Sequence, residues 1–186
     1  MRPVGGWLAR SGVSPDAITI LGVLVQVVAA AMIIDGRLLA AGLVAIAAGL
    51  ADVFDGAVAK ARGPSGNWGA MLDSTTDRLS DALVFVPIAW LYGVEPDIPV
   101  HDEPWVAAAA LATLVFSFLV PYTKARAESL GYECNVGIAE RAERLIIVLL
   151  ALLFDLVPPA MIVLAVLTAI TFAQRIVHVY KQARSA

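Results

Sequence analysis

The chain has 186 residues, a formal net charge of −3 and a mean hydropathy of +0.81, with 60% hydrophobic and 16% charged residues. A soluble domain averages about 45–50% apolar and about 25% charged residues; here the excess recurs in blocks along the whole length, which points to an integral membrane protein. The single cysteine, Cys134, excludes an internal disulfide and a cysteine-based metal cluster, and no run of like charge suggests a nucleic-acid partner.

The first stretch, "RPVGGWLARSGVSPD", sets Trp7 and Leu8 between Arg2 and Arg10. That pattern suits a short interfacial helix over 1–14, and it lacks the apolar core and small-residue cleavage site of a secretory signal. Ser14 can cap the next helix, with Pro15 at its first position. Apolar blocks then predict six membrane spans, at about 18–34, 38–59, 71–92, 105–127, 145–157 and 159–179. The turn "DGR" at 35–37 separates the first two, and "PP" at 158–159 opens the sixth. The fifth is short unless its helix starts inside "GIAERAER". The fold class predicted is all-α, six transmembrane helices in a single domain over 1–186.

The charges divide by side. Six spans put Arg2, Arg10, Lys60, Arg62, Arg78, Lys124, Arg126, Arg141, Arg144, Arg175, Lys181 and Arg184 on one side, and only Arg37 on the other, with the acidic "VEPDIPVHDE". The positive-inside rule then places both termini in the cytoplasm of a cell-membrane protein. Trp68, Trp90 and Trp105 read as interface anchors, and Pro87 and Pro121 as helix-interior prolines that open a cavity.

Four aspartates lie in and beside the second and third spans. Asp52 and Asp55 are three apart and Asp73 and Asp77 four apart, so each pair shares a helical face. Two like charges about 4 Å apart repel by about 4 kcal/mol at an effective dielectric near 20, so four converging carboxylates either take up protons or bind cations. All-oxygen ligands select hard ions such as Mg²⁺, Mn²⁺ or Ca²⁺, and four carboxylates suit two of them in displacement at phosphorus. The plainer alternative is ordinary interfacial charge, with Asp52 and Asp55 paired to Lys60 or Arg62, and Asp77 and Asp81 to Arg78. Gly49, Gly56 and Gly69 beside these acids leave room for close backbone approach, and "GPSG" at 63–66 can offer amide donors to phosphate.

"DVFDGAVAK…GAMLDSTTD" resembles the signature of the CDP-alcohol phosphotransferases, D-x2-D-G-x2-A-R-x8-G-x3-D-x3-D. Asp52, Asp55, Gly56, Ala59, Gly69, Asp73 and Asp77 match it, and Lys60 stands where the family usually has Arg, keeping the charge without the bidentate fork. The resemblance implies a six-helix membrane enzyme, a homodimer, that transfers a phosphatidyl group from a CDP-linked donor to an alcohol and releases CMP. It implies that Asp52, Asp55, Asp73 and Asp77 hold two divalent cations, Mg²⁺ or alternatively Mn²⁺, with Asp77 as general base. It implies that Asp16, Ala17, Ile18, Thr19, Gly56, Lys60 and Gly66 contact the CDP-diacylglycerol donor.

Lys124, Arg126, Arg141, Arg144 and Arg184 concentrate cations beside the predicted metal site, which suggests an anionic acceptor such as a phosphate monoester. Headgroup anchoring is the alternative, weakened by the interleaved Glu128, Glu140 and Glu143. "KARAE" and "ERAERLIIVL" are similar to the actinobacterial phosphatidylinositol phosphate synthases of the same family. That likeness implies inositol 1-phosphate as acceptor, with Lys124, Arg126, Arg144 and Arg184 around its phosphate and Arg141 as a weaker candidate. Pro121 stands where the related pattern has a serine. Glycerol 3-phosphate is the alternative acceptor within the family, and a divalent-cation transporter or a structural scaffold are the alternatives outside it.

Overall fold

The computed structural model describes residues 15–49, 67–94 and 103–185. The interfacial segment 1–14, and with it Asp52, Asp55, Gly56, Lys60 and Gly66, lie outside the described residues. Among the described residues the structure is all helical: α1 Pro15–Ile34, α2 Leu38–Gly49, α3 Asn67–Gly93, α4 Pro104–Ser129, α5 Arg141–Phe154 and α6 Val157–Ser185. Each predicted block holds one of these helices. Three of them, α1, α4 and α6, are long and apolar enough to cross a membrane. The other three differ for distinct reasons. α2 is described only to Gly49, α3 carries Asp73, Asp77, Arg78 and Asp81, and α5 has 14 residues. α5 does start inside "GIAERAER", at Arg141, and ends at Phe154, three residues before the predicted limit.

Helix ends follow local chemistry. α1 opens on Pro15, whose fixed φ and missing N–H suit a first turn. It closes in a Schellman motif: Arg37 N–H reaches the Met32 carbonyl (2.8 Å), Gly36 N–H the Ile33 carbonyl (2.9 Å), and Gly36 takes φ 72°. α4 closes the same way, with Tyr132 N–H on Ala127, Gly131 N–H on Glu128, and Gly131 at φ 84°.

The chain forms two compact units, Met1–Val84 and Phe85–Ala186. In the first, Thr19, Gln26, Ala30 and Ile33 form one buried stripe of α1, joined in burial by Leu38, Ala41 and Ala48 of α2 and by Asp81 and Val84 of α3. The outward face of α1 is instead apolar, with Leu21, Leu24 and Val28 exposed. An oily exterior over a polar-containing interior is the pattern a lipid solvent selects.

In the second unit α4 and α6 pack along matched stripes. On α4 these are Val106, Ala110, Thr113, Ser117 and Val120; on α6, Val157, Met161, Leu164, Thr168, Thr171 and Arg175. Small residues allow the close approach, and the hydroxyls of Thr113 and Thr168 bond back to their own helices at Ala109 and Leu164, so they carry no unmet donor inward. The Phe116 and Phe172 rings lie 5.8 Å apart, and one turn further Arg175 meets Val120. The two helices therefore run in the same direction, and α5, which lies between them in the chain, packs on α6. As a result Lys124, Arg126, Arg141, Arg144, Arg175, Lys181 and Arg184 all lie towards one end of this unit, and its described residues carry no Lys or Arg at the other, where Glu103 and Asp155 sit.

Candidate active site

The first turns of α3 present Asp73 and Asp77 on one face, one helical turn apart. Between them Ser74 and Thr75 donate to the Met71 carbonyl (3.0 and 2.8 Å), and Thr76 donates to the carbonyls of Leu72 and Asp73 (2.9 and 3.0 Å). These hydroxyls are turned back onto the helix, which leaves the carboxylates as the groups this turn offers. Asp73 is exposed and Asp77 half-buried. Arg78 directs its guanidinium to the Ser74 carbonyl, one turn back. Among the described residues no three His, Cys, Asp or Glu converge; Asp52 and Asp55 lie outside the described residues. Two carboxylates at this spacing, with all-oxygen chemistry, fit half of a hard divalent-cation site.

The start of α1 lies against the start of α3. Trp68 donates its indole N–H to Oδ2 of Asp16 at 3.2 Å. The segment expected to meet a nucleotide, Asp16 to Thr19, is thereby tied to the helix that carries Asp73 and Asp77. Within that segment Thr19 is buried, Asp16 and Ile18 half-buried, and Ala17 exposed. Trp68, read above as an interface anchor, is exposed and also has a specific polar partner; with 51 residues between the two, no local signal could have paired them.

In the second unit the basic side chains have different surroundings. Lys124 stands 3.9 Å from Glu128 in a partly exposed pair, and Arg126 approaches Ser129 Oγ at 3.4 Å. Arg141 is half-buried and Arg144 buried at the start of α5. Arg184 is exposed in the last turn of α6, its guanidinium 5.7 Å over the Tyr180 ring. The structure thus gathers Lys124, Arg126, Arg141 and Arg144 at one end and lays Arg184 on its own helix at that end.

Arg175 is not among the site residues expected from the sequence. It is 3% exposed and makes three hydrogen bonds to three different segments. Its signal was present: an arginine inside the predicted span 159–179 marks a buried charge with a partner.

Comparison with known proteins adds a family, two relatives and two solved structures. The model of the CDP-alcohol phosphatidyltransferase family matches residues 12–175. The chain is 36% identical to the archaetidylinositol phosphate synthase of Pyrococcus horikoshii over 98% of this chain and 92% of that protein. It is 40% identical to the phosphatidylinositol phosphate synthase of Mycobacterium tuberculosis strain H37Rv over 94% of this chain and 82% of that protein. A crystal structure of the Mycobacterium tuberculosis phosphatidylinositol phosphate synthase with CDP-DAG bound superposes with a TM-score of 0.83 at 38% identity, covering 96% of this chain and 92% of that one. A second crystal structure of that synthase, in complex with manganese and citrate, gives a TM-score of 0.82 over 96% and 88% of the two chains.

Proposed function

The chain belongs to the CDP-alcohol phosphatidyltransferase family, and we propose that it moves the phosphatidyl group of CDP-diacylglycerol to a hydroxyl of inositol 1-phosphate. The products are phosphatidylinositol phosphate and CMP. One observation carries the acceptor: relatives at 36–40% identity differ in the lipid they are named for, archaetidyl or phosphatidyl, and agree on inositol phosphate. The end of the second unit that collects Lys124, Arg126 and Arg144 supplies the charge that a phosphate monoester requires.

Asp16 to Thr19, with Gly56, Lys60 and Gly66, bind the CDP portion of the donor. Asp52, Asp55, Asp73 and Asp77 hold two divalent cations, Mg²⁺ or Mn²⁺. When bound, such cations offset the negative charge of the diphosphate. Asp77 accepts the proton of the acceptor hydroxyl as its oxygen forms a bond to the phosphatidyl phosphorus. The bond from that phosphorus to the oxygen it shares with CMP breaks, and CMP leaves with the electron pair. Lys124, Arg126, Arg144 and Arg184 hold the acceptor's phosphate and so orient the attacking hydroxyl.

The same reading makes the chain one membrane domain with six spans, both termini and the catalytic end on the cytoplasmic side, working as a homodimer. The one-ended distribution of Lys and Arg in the second unit supports that orientation. Incorporation of labelled inositol 1-phosphate into organic-extractable lipid, dependent on CDP-diacylglycerol, tests the transfer. Metal flux into liposomes without CDP-lipid turnover would contradict it.

A further inference from the structure

We propose that Arg175 is a positioning residue for the acceptor, acting by clamping the connection between α4 and α5 onto α6. The side chain is buried, and each of its three guanidinium nitrogens donates to a different segment. Nη1 donates to the Val120 carbonyl (2.7 Å), Nε to the Val136 carbonyl (2.9 Å) and Nη2 to Oε1 of Glu140 (3.1 Å). Val120 directly precedes Pro121, whose missing N–H breaks the α4 ladder at Ser117. Glu140 is the N-cap of α5 and makes no side-chain cap bond of its own; its carboxylate goes to Arg175 instead. One guanidinium therefore joins the interrupted turn of α4 to the first turn of α5.

Neighbouring residues of α6 extend the clamp. One turn before Arg175, Thr171 Oγ1 accepts the Ala139 N–H at 3.0 Å. Gly137, at φ 144°, lies so close that a Cβ there would come within 2.6 Å of Thr171 Cγ2. Two turns beyond, Gln182 and Glu133 bond reciprocally, Glu133 N–H to Gln182 Oε1 (3.0 Å) and Gln182 Nε2 to the Glu133 carbonyl (2.6 Å). The connection is thus fixed to α6 at residues 133, 136, 139 and 140. It is flanked by Arg126 on one side and by Arg141 and Arg144 on the other. Fixing it fixes the relative placement of the cations that receive the acceptor phosphate. Arg175 itself is buried with each of its three guanidinium nitrogens engaged, so its effect on the acceptor passes through these residues.

This inference rests on the reading of Lys124, Arg126 and Arg144 as the acceptor-phosphate pocket, and the test separates the two. The full-length protein in nanodiscs is assayed for CMP release, with KM measured separately for inositol 1-phosphate and CDP-diacylglycerol. Arg175→Gln, Thr171→Val and Lys124→Ala are compared with the unaltered chain. Arg175→Gln is expected to raise the acceptor KM at least tenfold, and Thr171→Val about threefold, with the donor KM within twofold. A merely structural role would instead lower folded yield while leaving both KM values of the folded fraction alone. If Lys124→Ala leaves the acceptor KM unchanged, the pocket reading fails. If Lys124→Ala raises it and Arg175→Gln does not, the positioning role is overturned alone. Should Arg175→Gln not fold, Thr171→Val decides: an acceptor-selective rise supports the clamp, and no change overturns it.

Discussion

The indole N–H of Trp68 and the carboxylate of Asp16 meet at 3.2 Å, joining the first turn of α1 to the first turn of α3. The contact matters because each partner sits just ahead of a motif. Asp16 begins the "DAIT" segment, and Trp68 precedes Gly69, Asp73 and Asp77. Trp68→Phe keeps the ring and removes the donor. Loss of a solvent-accessible hydrogen bond to a carboxylate is expected to raise the CDP-diacylglycerol KM about three- to fivefold. The acceptor KM stays unchanged; an equal rise in both would assign Trp68 to general packing.

Asp77→Asn removes the proton acceptor while keeping size and shape. Turnover is expected to fall by about 10²–10⁴-fold, the usual range for loss of a general base. Intrinsic tryptophan fluorescence melting should show a folded protein with a transition close to that of the unaltered chain. Retained turnover would remove Asp77 from the chemistry.

Lys124 lies 3.9 Å from Glu128 in a partly exposed pair, worth at most about 1 kcal/mol to stability. Lys124→Ala should therefore melt within a few degrees of the parent. A charge-assisted contact to phosphate contributes more, so the acceptor KM is expected to rise about tenfold or more, and to respond less to added salt. A change in melting without a change in KM would return Lys124 to the surface.

Chelation by EDTA is expected to abolish CMP release, and either Mg²⁺ or Mn²⁺ to restore it. In Asp73→Asn the metal concentration for half-restoration should rise, because one charged oxygen donor is gone. Full activity after exhaustive chelation would set aside the carboxylate–metal reading.

Gly131 holds the Schellman closure of α4 at φ 84°, with open space around it. Gly131→Ala therefore meets no clash, only the left-handed backbone penalty of about 1–2 kcal/mol. A few degrees lost in Tm, with both KM values kept, is the expected result.

How much of this was legible in the sequence follows from the range of each interaction. The helices were readable because hydropathy, Pro15 at a helix start and Gly36 at a helix end act within a few residues. Asp73 and Asp77 were readable because helical spacing alone puts them on one face. The start of α5 was left open, since four charged residues between Glu140 and Arg144 argue against a membrane helix; the structure begins it there with Arg144 buried. Arg175 was assigned by charge to the positive side. Its role depends on partners 55, 39 and 35 residues away, at Val120, Val136 and Glu140. Those partners are two backbone carbonyls and one of several glutamates, which carry no pattern in the sequence. The Trp68–Asp16 bond is hidden for the same reason, as the two residues lie 52 apart.

The most direct test is CMP release from CDP-diacylglycerol by the purified chain, with inositol 1-phosphate, glycerol 3-phosphate and unphosphorylated inositol compared as acceptors. The account predicts release with inositol 1-phosphate, little with glycerol 3-phosphate and none with inositol. Release driven by glycerol 3-phosphate and not by inositol 1-phosphate would contradict it.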